Sequence, residues 1–266
     1  MPATLEPSTI DFYRRSLRAL GGSGVEFLLG GAYAFRCCTG IERHTKDLDV
    51  FVRPRDVDRA LAALGAASER TERTFPHWLA KAYDAEGACI DVIYRSGNAV
   101  SEVDDAWFAH ALDDRAFDVA VKVCPPEEVI WSKAFVQERE RFDGADIAHI
   151  LRAAGDRLDW RRLLDRFGPN WRVLLAHVTL FGFIYPGERG KVPAWVVEDL
   201  SGRLRAEVGP DPGAGKLCRG PILSRSQYLI DTEEWGYRDA RLQPDGRMTP
   251  EELAIWTAGI AVDGTR

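Results

Sequence analysis

Two adjacent prolines, Pro125-Pro126, divide this chain into halves of different character, and that division limits the fold more than any other feature. Before them, short apolar runs with period-two alternation interleave with helical periodicity. After them one helical pattern follows another. The 266 residues suffice for one large domain or two ordinary ones. The expectation is an α/β (α+β) protein with a mixed domain over residues 1–124 and a helical domain over 125–266.

In the first half, Ser8-Thr9-Ile10-Asp11 reads as a capping box opening a helix that ends at Gly21-Gly22. A strand is expected over 25–29, stopped by Gly30-Gly31, then a short helix over 32–38 and a strand over 47–52. Pro54 breaks that strand, and 55–67 has helical periodicity. Residues 77–83 and 88–95 form a hairpin around 84–87, 102–112 read as helix, and 117–123 as strand. In the second half, helices are expected at about 127–142, 144–154, 159–167, 171–184 and 193–207. Residues 209–220 read as loop, followed by a helix packing Tyr228, Leu229 and Trp235 onto the domain.

The chemistry concentrates in D-L-D-V-F-V from Asp47. On a strand, residues i and i+2 face the same way, so Asp47 and Asp49 aim at one spot while Leu48 and Val50 face a core. Two neighbouring carboxylates on a largely buried strand need positive compensation. A hard divalent cation with oxygen ligands supplies it, and magnesium favours one or two carboxylates plus substrate phosphates. Gly30 and Gly31, at the turn after the preceding strand, permit close approach of backbone N–H groups to phosphate oxygens. Taken singly, either motif also fits a polar strand edge or a tight turn.

Together, F-L-L-G-G-A-Y-A and, after a fifteen-residue spacer, D-L-D-V resemble the signature of the DNA polymerase beta superfamily of nucleotidyltransferases. The intervening G-I-E-R-H-T-K is similar to small bacterial members such as the antibiotic and abortive-infection toxin nucleotidyltransferases. So is the later W-S-K-A-F-V-Q-E-R-E-R-F-D-G-A-D-I-A-H-I-L. The resemblance spans roughly residues 25–155. It implies a polymerase-beta-like catalytic domain with a short mixed sheet, followed by a helical domain. It further implies Asp47, Asp49 and Asp91 as catalytic and metal-binding residues, with two magnesium ions. Gly30, Gly31, Arg43, Thr45 and Lys133 would bind the nucleotide, ATP or another nucleoside triphosphate. Arg43 has an equal alternative as a partner of Asp47 or Glu42. Asp143 and Asp146 read as capping and salt-bridging groups, His149 as structural, and Lys46 as pointing away. The chain departs from the pattern in having Ala32 where many relatives carry serine.

The activity so implied is transfer of a nucleoside monophosphate to an acceptor hydroxyl with release of pyrophosphate. A non-catalytic nucleotide-binding regulatory module of the same fold, of toxin–antitoxin type, is the alternative. A phosphohydrolase is disfavoured by five scattered histidines and no His-Asp pair. Net charge −6 favours a small hydroxylated acceptor over RNA or a protein group. Arg203, Arg205, Lys216, Arg219 and Arg225 read as solvated surface. Five cysteines with no C-x-x-C pair suggest neither disulfides nor zinc. The opening residues contain no leader-like apolar run, and the apolar stretch over 173–185 is too short to span a bilayer. A cytoplasmic protein with no membrane partner is expected.

Overall fold

The computed structural model describes residues 5–43 and 45–258. Part of the N-terminal stretch and His44 therefore lie outside the described residues. The chain divides into two compact units, 1–125 and 126–266.

The first unit is mixed α/β. In order it contains α1 (Pro7–Gly22), β1 (Leu28–Leu29), α2 (Gly31–Thr39), β2 (Asp47–Phe51), α3 (Val57–Gly65), β3 (Arg70–Phe75), β4 (Leu79–Tyr83), β5 (Cys89–Ile93), α4 (Asp105–Ala109), β6 (Leu112–Ala116) and β7 (Val119–Val123). The strands form one sheet in the order β3-β4-β5-β2-β1-β7-β6. It is mixed: β2–β5 and β1–β7 run parallel, the other neighbours antiparallel. Leu48 and Val50 of β2, Ala80 and Ala82 of β4, and Ile90 and Val92 of β5 are fully buried. These are alternate residues of their strands, so one face of the sheet is continuous apolar core. Helix α3 packs against β3 and β4, and α1 against α3 and β7. The remaining residues of the same strands face the other way.

Several local expectations change. Helix α1 opens with Pro7 in its first turn and no side-chain cap; the Ser8 hydroxyl instead donates to the Glu86 carboxylate at 2.6 Å. The strand expected over 25–29 is limited to Leu28–Leu29, and the helix expected over 102–112 shortens to α4 before β6 begins. The hairpin over residues 77–95 is present as β4–β5, with Tyr83 opposite Cys89.

The second unit begins with α5 (Pro126–Ala134), α6 (Gly144–Ala154), α7 (Trp160–Phe167), α8 (Trp171–Ile184) and α9 (Ala194–Ala206). Helix α5 ends eight residues earlier than its periodicity suggests. The Gln137 amide donates to the Leu223 carbonyl, and the Glu138 carboxylate accepts from the Arg225 amide. Backbone engaged with a distant segment cannot continue the helix. That segment holds β8 (Leu217–Cys218), α10 (Gly220–Leu223), α11 (Leu229–Glu233), β9 (Arg238–Asp239) and α12 (Pro250–Ala258), with β8 and β9 paired in parallel. Within the segment the Arg241–Asp239 pair is buried at 2.6 Å. Of the residues expected to pack on the domain, Tyr228 and Leu229 are half-buried and Trp235 is exposed. No described helix is long and apolar enough to cross a membrane.

Candidate active site

Strands β2 and β5 run parallel with Asp49 opposite Asp91 and Asp47 opposite Cys89. Because the pairing is in register, Asp47, Asp49 and Asp91 share the face opposite the core, with adjacent strands about 4.8 Å apart. Phe51 follows on the same face and stacks on Trp107 at 5.3 Å, giving the acids an apolar flank. All three acids named from the sequence therefore belong to one polar patch.

The two glycines are required by geometry. A side chain at Gly31 would begin 1.7 Å from Asp49 Oδ2, and its φ of +49° disfavours any other residue. At Gly30 a β-carbon would meet the Phe51 ring at 2.0 Å. The Gly30 amide donates to the Asp49 carbonyl at 3.0 Å. The Asp49 carboxylate thus sits directly against the first residue of α2, where N–H groups lack intrahelical partners and the helix dipole favours negative charge.

Thr45 donates its hydroxyl to the Asp47 carbonyl at 2.8 Å and to Asp47 Oδ1 at 3.3 Å. Thr45 also lines a cleft of about 310 Å³, together with Ala32, Tyr33, Arg36, Glu42, Arg43, Arg115 and Phe117. Arg43 is exposed, its guanidinium 4.0 Å from the Phe35 ring centre. Arg36 pairs with Asp114 at 3.3 Å, and Arg115 donates to the Asp118 carbonyl. Three guanidinium groups around one recess favour an anionic ligand. Burial pushes the Tyr33 hydroxyl up to about 12, partly opposed by Arg36, so it enters the cleft as a neutral group. Phe117, at φ +50° in the β6–β7 turn, packs between Tyr13 and Tyr33 at 5.3 and 5.6 Å and closes one side.

Sequence reasoning missed Arg36, Arg115 and Lys81. Lys81 stands opposite Asp91 across β4–β5 and donates to Asp91 Oδ1 at 2.5 Å, with only 20% of its side chain and 13% of that of Asp91 exposed. Burial alone would lower the Lys81 pKa; the hydrogen bond and charge of Asp91 outweigh it and raise it. The Cys89 thiol donates to the same oxygen at 3.4 Å, and burial beside Asp91 pushes it up to about 12. The four-residue connection expected from the sequence would have set Lys81 opposite Ile90; the hairpin instead closes over 84–88, and that register brings Lys81 opposite Asp91.

Lys133 lies in the second unit, where its ammonium is 2.8 Å from Asp143 and 2.9 Å from Asp146. Both aspartates thus make the ion pairs expected of them, although Asp143 makes no side-chain cap. Burial alone would raise the Asp143 pKa, but Lys133 and Arg141 hold it below the usual carboxylate range. Lys46 is exposed.

The donor set is hard oxygen, which suits magnesium. Among the described residues, however, no three of His, Cys, Asp and Glu come together as a metal cage. Asp47 and Asp49 fit one cation completed by substrate oxygens, while the third expected ligand, Asp91, is engaged by Lys81.

No protein-family model matches the chain, and no curated protein matches it in sequence. Among solved structures it is similar to the lincomycin-bound lincosamide antibiotic adenylyltransferase LnuA, at 14% identity over 56% of this chain and 98% of that one, TM-score 0.39. It is also similar to the antibiotic-resistance factor ANT(2'')-Ia, at 15% identity over 65% and 98%, TM-score 0.44. A third similar structure is an antigenic nucleotidyltransferase-like protein from Paracoccidioides brasiliensis, at 14% identity over 66% and 94%, TM-score 0.37.

Proposed function

We propose that the chain is a divalent-cation-dependent nucleotidyltransferase, moving a nucleoside monophosphate from a nucleoside triphosphate to the hydroxyl of a small acceptor. The observation that carries this reading is the in-register pair Asp49–Asp91, with Asp47 on the same face and the Asp49 carboxylate set against Gly31. An acid trio on one sheet face beside a helix N-terminus and an arginine-lined cleft is suited to phosphoryl chemistry.

Asp47 and Asp49 would hold a magnesium ion. Bound there, the ion would offset charge on the triphosphate and lower the pKa of the acceptor hydroxyl. Thr45 restrains Asp47, so that carboxylate needs little reorganisation. Gly31 lets the Asp49 carboxylate sit against the first turn of α2, so a cation held by Asp49 would lie beside the helix N-terminus. Arg36, Arg43 and Arg115 receive the β- and γ-phosphates in the cleft. The acceptor oxygen forms a bond to the α-phosphorus, the bond from that phosphorus to the β-bridging oxygen breaks, and pyrophosphate leaves. Asp91 is the base that takes the hydroxyl proton, provided Lys81 yields the oxygen it now holds. The acidic surface draws cationic acceptors in preference to nucleic acid.

One observation favours a second reading, the regulatory nucleotide-binding module: the Lys81–Asp91 contact leaves the base engaged. Labelled nucleoside triphosphates, magnesium, and a panel of hydroxylated amines and transfer RNA decide between them. Transfer abolished by Asp49→Asn establishes the enzyme. Tight nucleotide binding without transfer to any acceptor favours the module.

A further inference from the structure

Lys81 belongs to no motif that pointed to the site, yet it makes an ion pair with one of the three acids. Across β2, β5, β4 and β3 the register aligns Asp49, Asp91, Lys81 and Glu72 in one row. Within that row the Lys81 ammonium chooses Asp91 at 2.5 Å. Both Asp91 and Glu72 lie directly opposite Lys81, but Glu72 is engaged by Arg70 and Tyr83, whereas the Lys81 and Asp91 side chains are both largely withdrawn from solvent. A lysine held in this way supplies one positive charge on the side of the site where a second divalent cation would share Asp91. A divalent cation reaching Asp91 would meet the repulsion of an ammonium already 2.5 Å from that carboxylate, and an ammonium desolvated with its partner is not readily displaced.

We infer that Lys81 acts as a built-in counter-ion that competes with divalent metal for Asp91, so that without nucleotide this site binds a single divalent cation, at Asp47 and Asp49. The inference rests on the nucleotidyltransferase reading for the metal itself, but concerns a residue outside that reading. Lys81 is a positioning residue acting through Asp91. Its place in the reaction follows: Asp91 is released to a metal or to the acceptor proton only when the lysine turns away, for instance toward an incoming phosphate oxygen.

The test is Mn2+ binding to the nucleotide-free full-length protein, counted by electron paramagnetic resonance, with thermal unfolding measured in chelator and in Mn2+. Wild type is expected to bind one ion. Lys81→Met should bind a second, and should gain far more thermal stability from Mn2+ than wild type does, because the metal replaces the lost ammonium. Lys81→Arg should behave as wild type. Asp91→Asn leaves the ammonium without its partner beside the remaining acids, and should weaken the single site about tenfold by repulsion. That variant keeps the question decidable if Lys81→Met does not fold in chelator. One ion in both wild type and Lys81→Met with equal thermal gains, two ions in wild type, or unchanged affinity in Asp91→Asn would overturn the inference and leave the nucleotidyltransferase reading standing. No ion bound by wild type or Lys81→Met would overturn both.

Discussion

At Gly31 the backbone adopts φ +49° and a carboxylate occupies the space of a β-carbon, so the residue is constrained twice. Gly31→Ala has to bear backbone strain of about 1–3 kcal/mol and must also evict Asp49 from its seat. A lowered melting temperature and loss of nucleotide transfer are expected together, the second persisting at temperatures where the variant is fully folded by circular dichroism. Arg115 is a different case, because it touches the cleft and not the acids. Arg115→Ala should raise the KM for nucleotide about tenfold with a smaller change in kcat, as steady-state kinetics would register. Equal KM values would remove this arginine from the phosphate cradle. The three acids and two glycines were named from the combination of motifs and the resemblance it carries, since singly each also fits a polar strand edge or a tight turn. Arg36 and Arg115 were not legible, since an arginine on a helix or an exposed strand is ordinary until the fold sets it beside Arg43 around one recess.

The same contrast holds for whole elements. Strands β2, β5 and the β4–β5 hairpin were read from alternation of buried and half-buried residues. Strands β3 and β6 escaped because they are the two edges of the sheet, and at least half of the residues in their sequences, R-T-E-R-T-F and L-D-D-R-A, are charged and at least half are exposed. Charge on an edge strand prevents pairing with another sheet and, by the same means, erases the apolar pattern. In the helical unit, α5 and α7 are joined by Arg162, which binds Glu127 and Glu128 at 2.5 Å, while Arg166 reaches Glu128 at 3.1 Å. Glu127 and Glu128 are buried, so removing the shared cation strands charge in a low dielectric. Arg162→Ala should cost about 3–5 kcal/mol, measurable by urea unfolding. His177 of α8 is buried with Nε2 2.9 Å from the Ala134 carbonyl, and burial lowers its pKa from the ordinary value. A group that is harder to protonate in the folded state contributes stability above its unfolded pKa, and that stability is lost as pH falls below about 6.5. Urea midpoints should therefore drop on acidification from pH 7 toward 5, with a shallower slope in His177→Gln; identical slopes would assign the dependence to other groups.

For the molecule as a whole, net charge −6 acts at a distance that individual contacts do not reach. If the acceptor is cationic, its KM should rise with added salt as the surface field is screened, whereas a neutral analogue should be indifferent. The change of character at Pro125-Pro126 was visible because helical and alternating periodicities are distinct. The segment from 209 onward was not, because it is held by backbone contacts and one buried ion pair that leave no periodic trace. One feature of the first unit sets how it can change over time. The five residues of β2 write the acids and the core in alternate letters. Deleting a single residue there would turn the carboxylates into the apolar face and Leu48 and Val50 out of it, losing chemistry and fold at one stroke. Residues 40–42, outside any strand, have no such phase to keep. The unit can therefore accept insertions and deletions before the acids, while within β2 itself it can vary by substitution alone.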